Sequence, residues 1–497
     1  MPRLLAVDLG GTNLRAAVFD EHGRRLSVAV APTPHLVDIP PLGRRYDPED
    51  LWQAACGAIR TAVAQAGGAD AVAATGQRLA CAFLDADGAT LYVGPNTDAR
   101  GVMNGWQVEE ASGGRLYDRT GRGMPLLFAP ARLLWFRDNE PELYARVARV
   151  LGLGDWLAHR LCGEAAIDVS GAVELLAVDV YTGEYWRELW SAVELDPDWL
   201  PPILPGGAVA GRVTAAAAAT GLTAGIPVAV CPPDSMAALL GAGTAAPGDT
   251  VVLAGSTMPV LGAAERPAPD PSRRTWTGRH PLGGRGVHES NAGTTGFGWA
   301  WVVERLVGDV AGVEGDAAYA LAERLVAACA PGASDALAFS GGGSIMNATR
   351  PPTFLTRLNA AFWPPPYVRP AGGADVVRAC LEAVAYSARA NLEQVEAARG
   401  DAGPVVLAGG MARSPVFVQM LADVLNRAVA VPAVVESTAV GAAMSAATAA
   451  GVYASLEEAC TAMTSTAVAA EPQPAATAAY GHAFREWRAL YAKIESL

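Results

Sequence analysis

Apolar residues along this chain fall into short runs broken by polar or glycine-rich turns, with longer stretches at helical spacing between them. LLAVDLG and RAAVFD read as strands on either side of a glycine turn. DPEDLWQAACGAIRTAVAQAG repeats its apolar positions at helical intervals, opens at Asp47 and stops at a glycine, which predicts a capped helix. AVAATG predicts a buried strand ending at Gln77 and Arg78. CAFLDADGATLYV predicts a hairpin with Asp-Gly at its tip. IPVAVCPPD is a strand running into a turn, and SMAALLGAG is the helix after it. The run Ala215 to Ala219 predicts a short helix.

After Gly243 the pattern restarts. TAAPGDTVVLAGSTMPVLGA is again strand, small-residue turn, strand, and LAGST echoes DLGGT. This places a domain boundary near residue 245, giving domains of 1–245 and 246–497. GPVVLAGGMARSPVFVQMLADVL predicts a strand, a tight Gly-Gly turn and a helix opening at Ser414-Pro415. TAVGAAMSAATAAG predicts a helix of small residues able to pack closely. EPQPAATAA, residues 471–479, reads as a linker before a last amphipathic helix, AFREWRALYAKI. The alternation of strands and helices puts the chain in the α/β class.

Composition narrows the chemistry. The 497 residues exceed what one core holds, and 51% are hydrophobic against 18% charged, as in core-rich globular chains. A formal net charge of −13 argues against nucleic acid or an anionic membrane surface as partner. No cationic leader pattern opens the chain and no uninterrupted apolar run reaches 18 residues, so a cytoplasmic protein without a membrane span is expected. Seven scattered cysteines without a CxxC read as reduced thiols. The only lysine is Lys493. That removes the P-loop, the protein-kinase strand lysine and Schiff-base catalysis together. Any phosphate must be held by backbone N–H groups, hydroxyls, arginine and metal.

The glycine turns could do that. Around Gly10 and Gly11, main-chain N–H groups can converge on an anion, with Thr12, Asn13 and Arg15 adding donors. Asp8 at the strand end would repel a bare phosphate, unless a divalent cation such as Mg²⁺ sits between them. A plain hairpin with a polar turn is the other reading. AGSTM, centred on Ser256, is a second such turn, and LAGGMARS, with Gly410 and Ser414, is a third that ends at a helix N-terminus. Asp234 fits a helix N-cap, or a general base able to take the proton of an attacking sugar hydroxyl. Gln77, Arg78, Asn96, Asp98 and Arg100 follow strands and suit a polyhydroxyl ligand, or are ordinary turn polarity.

Taken in order, DLGGTNLRAAVFD, GQR, DAR, DWLAHRLCGE with TGEYW, IPVAVCPPDSMAALLGAG, AGSTM, LAGGMARSPVFVQMLADVL and ESTAVGAAMSA resemble the FGGY family of carbohydrate kinases over almost the whole chain. HLVDIP, NTDAR and LLWFRDNEPELY are most similar to its autoinducer-2 kinases and xylulokinase-like members. The resemblance implies two actin/hexokinase-like (ribonuclease H-like) ATPase domains with an interdomain cleft, ATP and Mg²⁺, a small-molecule sugar substrate and, as is common in the family, a homodimer. It implies Asp234 as catalytic base and Asp8 as the Mg²⁺-linked aspartate, acting through water. Gly11, Thr12, Asn13, Arg15, Ser256, Gly296, Gly410 and Ser414 fall to the nucleotide. Gln77, Arg78 and Asp98 fall to the sugar.

The chain also departs from the family. Leu79 stands where glycerol kinases have glutamate, and Leu127 where they have tyrosine. QRLA replaces the QMHG of xylulokinases, Pro233 replaces the usual glycine before the catalytic aspartate, and SGGGSIMNATRPP differs from the usual loop. Glycerol is therefore not expected as substrate, and QRLA counts against D-xylulose. An idle sugar sensor and an actin-like ATPase are the contrasting readings; the pairing of Asp8 with Asp234 speaks against the first, and the sugar-side groups against the second.

Overall fold

The computed structural model describes the chain apart from residues 333–336, 340–343, 349–360, 364–372 and 496–497. The SGGGSIMNATRPP loop lies largely outside the described residues.

The first half supplies β1 (Leu4–Leu9), β2 (Asn13–Phe19), β3 (Arg25–Pro32), α1 (Pro48–Ala66), β4 (Ala71–Gly76), β5 (Cys81–Leu84), β6 (Thr90–Gly94), β7 (Arg149–Gly152), β8 (Val209–Arg212), β9 (Pro227–Ala229) and α2 (Asp234–Gly241). The second supplies β10 (Thr250–Leu253), β11 (Pro259–Ala264), β12 (Trp276–Arg279), β13 (Gly286–Asn291), α3 (Thr295–Trp301), α4 (Gly373–Arg399), β14 (Val405–Ala408), α5 (Pro415–Leu425), β15 (Val429–Pro432), α6 (Ser437–Ala449), β16 (Thr466–Ala470) and α7 (Pro474–Glu495).

Two mixed sheets form the frame. One has the order β8-β9-β4-β1-β2-β3, the other β12-β13-β11-β10-β14-β15-β16. In each, a strand pairs antiparallel with the one after its glycine turn and parallel with a later strand: β1 with β2 and β4, β10 with β11 and β14. The echo of DLGGT in LAGST is therefore a repeat of topology. A smaller sheet, β6-β5-β7, sits in an aromatic lobe of the first half.

Strand alternation decides the layers. Leu5, Val7 and Leu9 turn to α1, while Leu4 and Ala6 turn to a shared core with α2, α6 and the inner face of the second sheet. The outer face of that second sheet is covered by α4, α5 and α7. α2 and α6 cross on glycines: a Cβ on Gly241 would overlap the Ser437 carbonyl, and one on Gly441 the Ala237 carbonyl. The small-residue helix thus packs as its composition predicts, and the contact fixes the helix that begins at Asp234.

Local signals behave as their chemistry dictates. Asp47 accepts from the Glu49 and Asp50 amides, and Gly67 closes α1 in the left-handed region. Ser414 caps α5 through the Phe417 amide. Ala215–Thr220 is a 3₁₀ helix. All seven cysteines are free thiols. One expectation is corrected: the EPQPAATAA segment is no linker beyond its first three residues. Pro474 starts α7, because proline suits a helix start and the following alanines favour helix. Among the described residues, no helix is long and apolar enough to cross a membrane.

Candidate functional site

The two halves present their turns differently from ordinary loops. Gly11 and Thr12 are exposed, and Asn13 and Arg15 half-buried. Thr33 braces this first turn, its amide donating to the Thr12 carbonyl at 3.0 Å and its hydroxyl to the Gly10 carbonyl at 2.8 Å. Gly255, Ser256 and Thr257 form the exposed second turn. The Phe297 amide donates to the Ser256 carbonyl at 3.0 Å, and a Cβ on Gly296 would overlap the Gly255 carbonyl. The Met411 amide donates to the Ala254 carbonyl at 3.2 Å, which brings the third turn against the second. Ser256, Gly296 and Gly410 are therefore neighbours. Ser414 stands one step away, its hydroxyl engaged as the α5 cap.

Asp8, the penultimate residue of β1, stands opposite Arg15 across the β1–β2 pair, 3.9 Å from its guanidinium. Its Oδ1 is buried without a hydrogen-bond partner. Burial, and then the charge of Asp234, push the Asp8 carboxyl up to about 7, against the opposing pull of Arg15. Asp234 opens α2, and its Oδ1 accepts from the Ser235 amide at 2.7 Å and the Arg78 amide at 3.3 Å. Burial pushes it up to about 6, against Arg78 and these two amides. A buried, unpartnered carboxylate oxygen within electrostatic reach of a second carboxylate is short of positive charge, so the residues present fit a hydrated divalent cation. Among the described residues no cluster of three or more His, Cys, Asp or Glu could cage an ion unaided. A cation at Asp8 would complete its shell with water and phosphate oxygens.

Beyond the Asp8–Asp234 region, the Gln77 amide donates to the Tyr46 hydroxyl at 2.9 Å and packs beside Gly11. Arg78 is held end-on by Glu289 of β13, with Nη2 2.5 Å from Oε1, and its guanidinium lies 5.7 Å from the Trp276 ring centre. Behind them a cavity of about 20 Å³, room for roughly one water, is lined by Gln77, Arg78, Asp155, Glu174 and Pro233 among others. A buried Arg122–Glu174 pair stands beside Trp276, with Arg122 also donating to the Thr277 carbonyl at 2.6 Å.

Asp98 is placed differently from the expectation. Its side chain is fully buried, and its oxygens accept from the Arg44 amide at 3.0 Å, Arg100 Nε at 2.7 Å and the Tyr92 hydroxyl. The Arg100 guanidinium is itself stacked among Tyr92, Trp135 and Phe136. Asp98 and Arg100 brace the aromatic lobe and present no free oxygen to the cleft; Asn96 reaches Gln77 only through its amide, at 3.5 Å. Sequence reasoning missed Glu289, Trp276, Arg122, Glu174 and Thr33. The one available signal for Glu289 was a lone acid inside the strand-like GVHESN run.

This arrangement can receive a polyphosphate between exposed main-chain turns and a hydroxyl donor beside Asp234. The profile of the FGGY family of carbohydrate kinases, N-terminal domain, matches residues 3–241, and that of its C-terminal domain matches residues 314–450. The chain is 30% identical to the autoinducer-2 kinase of Salmonella paratyphi B over 98% of this chain and 94% of that one. It is 30% identical to that of Klebsiella pneumoniae over 99% and 94%. The xylulose kinase of Rhodospirillum rubrum superposes with a TM-score of 0.83 at 28% identity, over 99% of both chains. The Plasmodium falciparum glycerol kinase with ADP shares the fold at 18% identity, with a TM-score of 0.81 over 98% of both chains.

Proposed function

Because this chain belongs to the FGGY family of carbohydrate kinases and is a sugar kinase, we propose that it transfers the γ-phosphoryl of ATP to a hydroxyl of autoinducer-2 or a ketopentose-type sugar, with Asp234 as general base. The observation that carries this reading is the pair of buried carboxylates, Asp8 and Asp234, each raised toward neutrality. A carboxylate poised near 6 is ionised at neutral pH yet basic enough to accept a proton as the hydroxyl attacks.

In this reading residues 1–245 carry the sugar, the first phosphate turn and the base, and residues 246–497 carry the nucleotide. Main-chain N–H groups at Gly11 and Thr12 and around Ser256 hold phosphate oxygens, with Asn13 and Arg15 at the first turn and Gly296 and Gly410 along the second and third. Ser414 contributes by fixing the helix that the third turn enters. Mg²⁺, when bound, would neutralise phosphate charge, and Asp8 would hold it through water. Gln77 and Arg78 orient the sugar. Little covalent chemistry falls to the protein, so positioning, charge neutralisation and exclusion of water set the rate.

The choice of substrate class is supported by 30% identity to autoinducer-2 kinases and 28% identity to a xylulose kinase. A coupled ADP-release screen across ketoses, polyols and the linear form of autoinducer-2 tests the reading. Release stimulated by one of the first or last group supports it. Release that ignores every sugar overturns it.

A further inference from the structure

Glu289 belongs to the second half of the chain, yet it is the partner of the sugar-side arginine of the first. We propose that Glu289 is a positioning residue for the phosphoryl acceptor: its carboxylate clamps the Arg78 guanidinium end-on and aims the N–H groups left over at a sugar hydroxyl. The inference rests on the proposed kinase reading and assigns a part of that site to the opposite half.

Three features of the structure carry it. First, the clamp is bidentate, with Arg78 Nη1 and Nη2 both donating to Glu289, whose side chain is 2% exposed against 13% for Arg78. An end-on carboxylate occupies two of the five guanidinium N–H groups and fixes the plane of the rest. Second, the clamp is rigid. Glu289 lies in the middle of β13, with Leu261 and Trp276 as its cross-strand neighbours, and the Trp276 ring backs the guanidinium. Third, the strand edge carrying Trp276 is docked onto the first half. The Tyr117 hydroxyl donates to the Thr275 carbonyl at 2.6 Å, Arg122 to the Thr277 carbonyl, and Arg279 to the Val180 carbonyl at 3.0 Å. Glu289 is thereby held against Arg78 by contacts outside the cleft. The Arg78 amide meanwhile donates to Asp234, so one residue is gripped at its side chain by one half and touches the general base through its backbone.

The test uses the full chain with D-xylulose and the linear form of autoinducer-2 as acceptors. ADP release by the unmutated protein comes first: if neither acceptor stimulates it, the kinase reading for this substrate class falls, and the inference with it. With that activity in hand, Glu289→Gln is expected to raise the acceptor KM at least tenfold while the ATP KM stays within twofold. In an Arg78→Met background, the same change should add less than twofold. Glu289→Asp, which keeps the charge, should recover part of the loss; it also serves as the test variant if Glu289→Gln does not fold. A folded Glu289 variant with an unchanged acceptor KM, or an equal penalty with and without Arg78, overturns the inference and leaves the kinase reading standing.

Discussion

Asp8 lies close enough to Asp234 for the second carboxylate to raise the pKa of the first. Two acids within electrostatic reach of each other, near the end of a strand and at the start of a helix, cost stability by mutual repulsion and suit the proposed roles of metal holder and base.

Burial pushes the Asp234 carboxyl up to about 6, against the opposing pull of Arg78. As general base it must be ionised, so kcat/KM should fall on acidification through that region and level off above it. Asp234→Asn should fold, bind sugar and ATP, lose roughly 10²–10⁴-fold in turnover and lose that acid limb. Turnover against pH for both proteins checks this; an unchanged rate in the variant would remove Asp234 from the chemistry.

Asp8 gives a prediction of opposite sign for stability and activity. Its folded carboxyl is raised from 3.8 to about 7, so the folded state binds the proton more tightly than the unfolded one. Stability from this group is therefore complete below about 4 and is lost as pH rises toward 7. Without metal, Asp8→Asn should melt higher than the parent, by more at pH 7.5 than at pH 5, and added Mg²⁺ should narrow the gap. The variant should also need roughly 10–100-fold more Mg²⁺ for half-maximal turnover, the range for losing a partner that acts through a metal's outer shell. Thermal melts with and without Mg²⁺, beside a metal titration of activity, separate the two effects.

Much of this frame is legible in the sequence because its causes are local. Asp47, Gly67 and Ser414 act within a few residues of themselves, and the small-residue runs around Gly11 and Ser256 announce turns by what they lack. The domain-level repeat is visible since both halves use the same strand–turn–strand unit. Glu289 is not legible: it meets Arg78 from 211 positions away, and no spacing rule spans that distance. The surroundings of Asp98 are hidden for the opposite reason. A polar run after a strand looks like a ligand site until Arg100, two residues on, folds back over it inside an aromatic lobe. Pro474 shows a subtler failure, since proline with alanine reads as a linker but starts a helix when its apolar face has a core to join.

The crossing of α2 and α6 makes a prediction for the scaffold. Gly441→Ala puts a methyl group into the Ala237 carbonyl, and neither backbone can yield without the helices parting. Overpacking of this kind costs about 1–3 kcal/mol, and more where backbone must move. Since α2 begins at Asp234, the variant should lose turnover as well as melting temperature. Denaturant unfolding and kcat measured on the same preparation test whether the two fall together.

Asp98→Asn decides between a structural brace and a sugar contact. The Arg100 guanidinium would be left among three aromatic rings with its buried partner neutralised. Removing one member of a buried pair typically costs about 3–5 kcal/mol, because the other charge is left uncompensated. The Arg44 amide and the Tyr92 hydroxyl would at the same time lose a charged acceptor. A brace predicts a large loss of stability, with the acceptor KM of the protein that still folds staying within about twofold. Restoring stability with Asp98→Asn/Arg100→Met, which removes both charges, should then leave that KM unchanged. A stable single variant whose acceptor KM rises tenfold would return Asp98 to the sugar site, and would require its buried oxygens to turn toward the cleft when ligand binds.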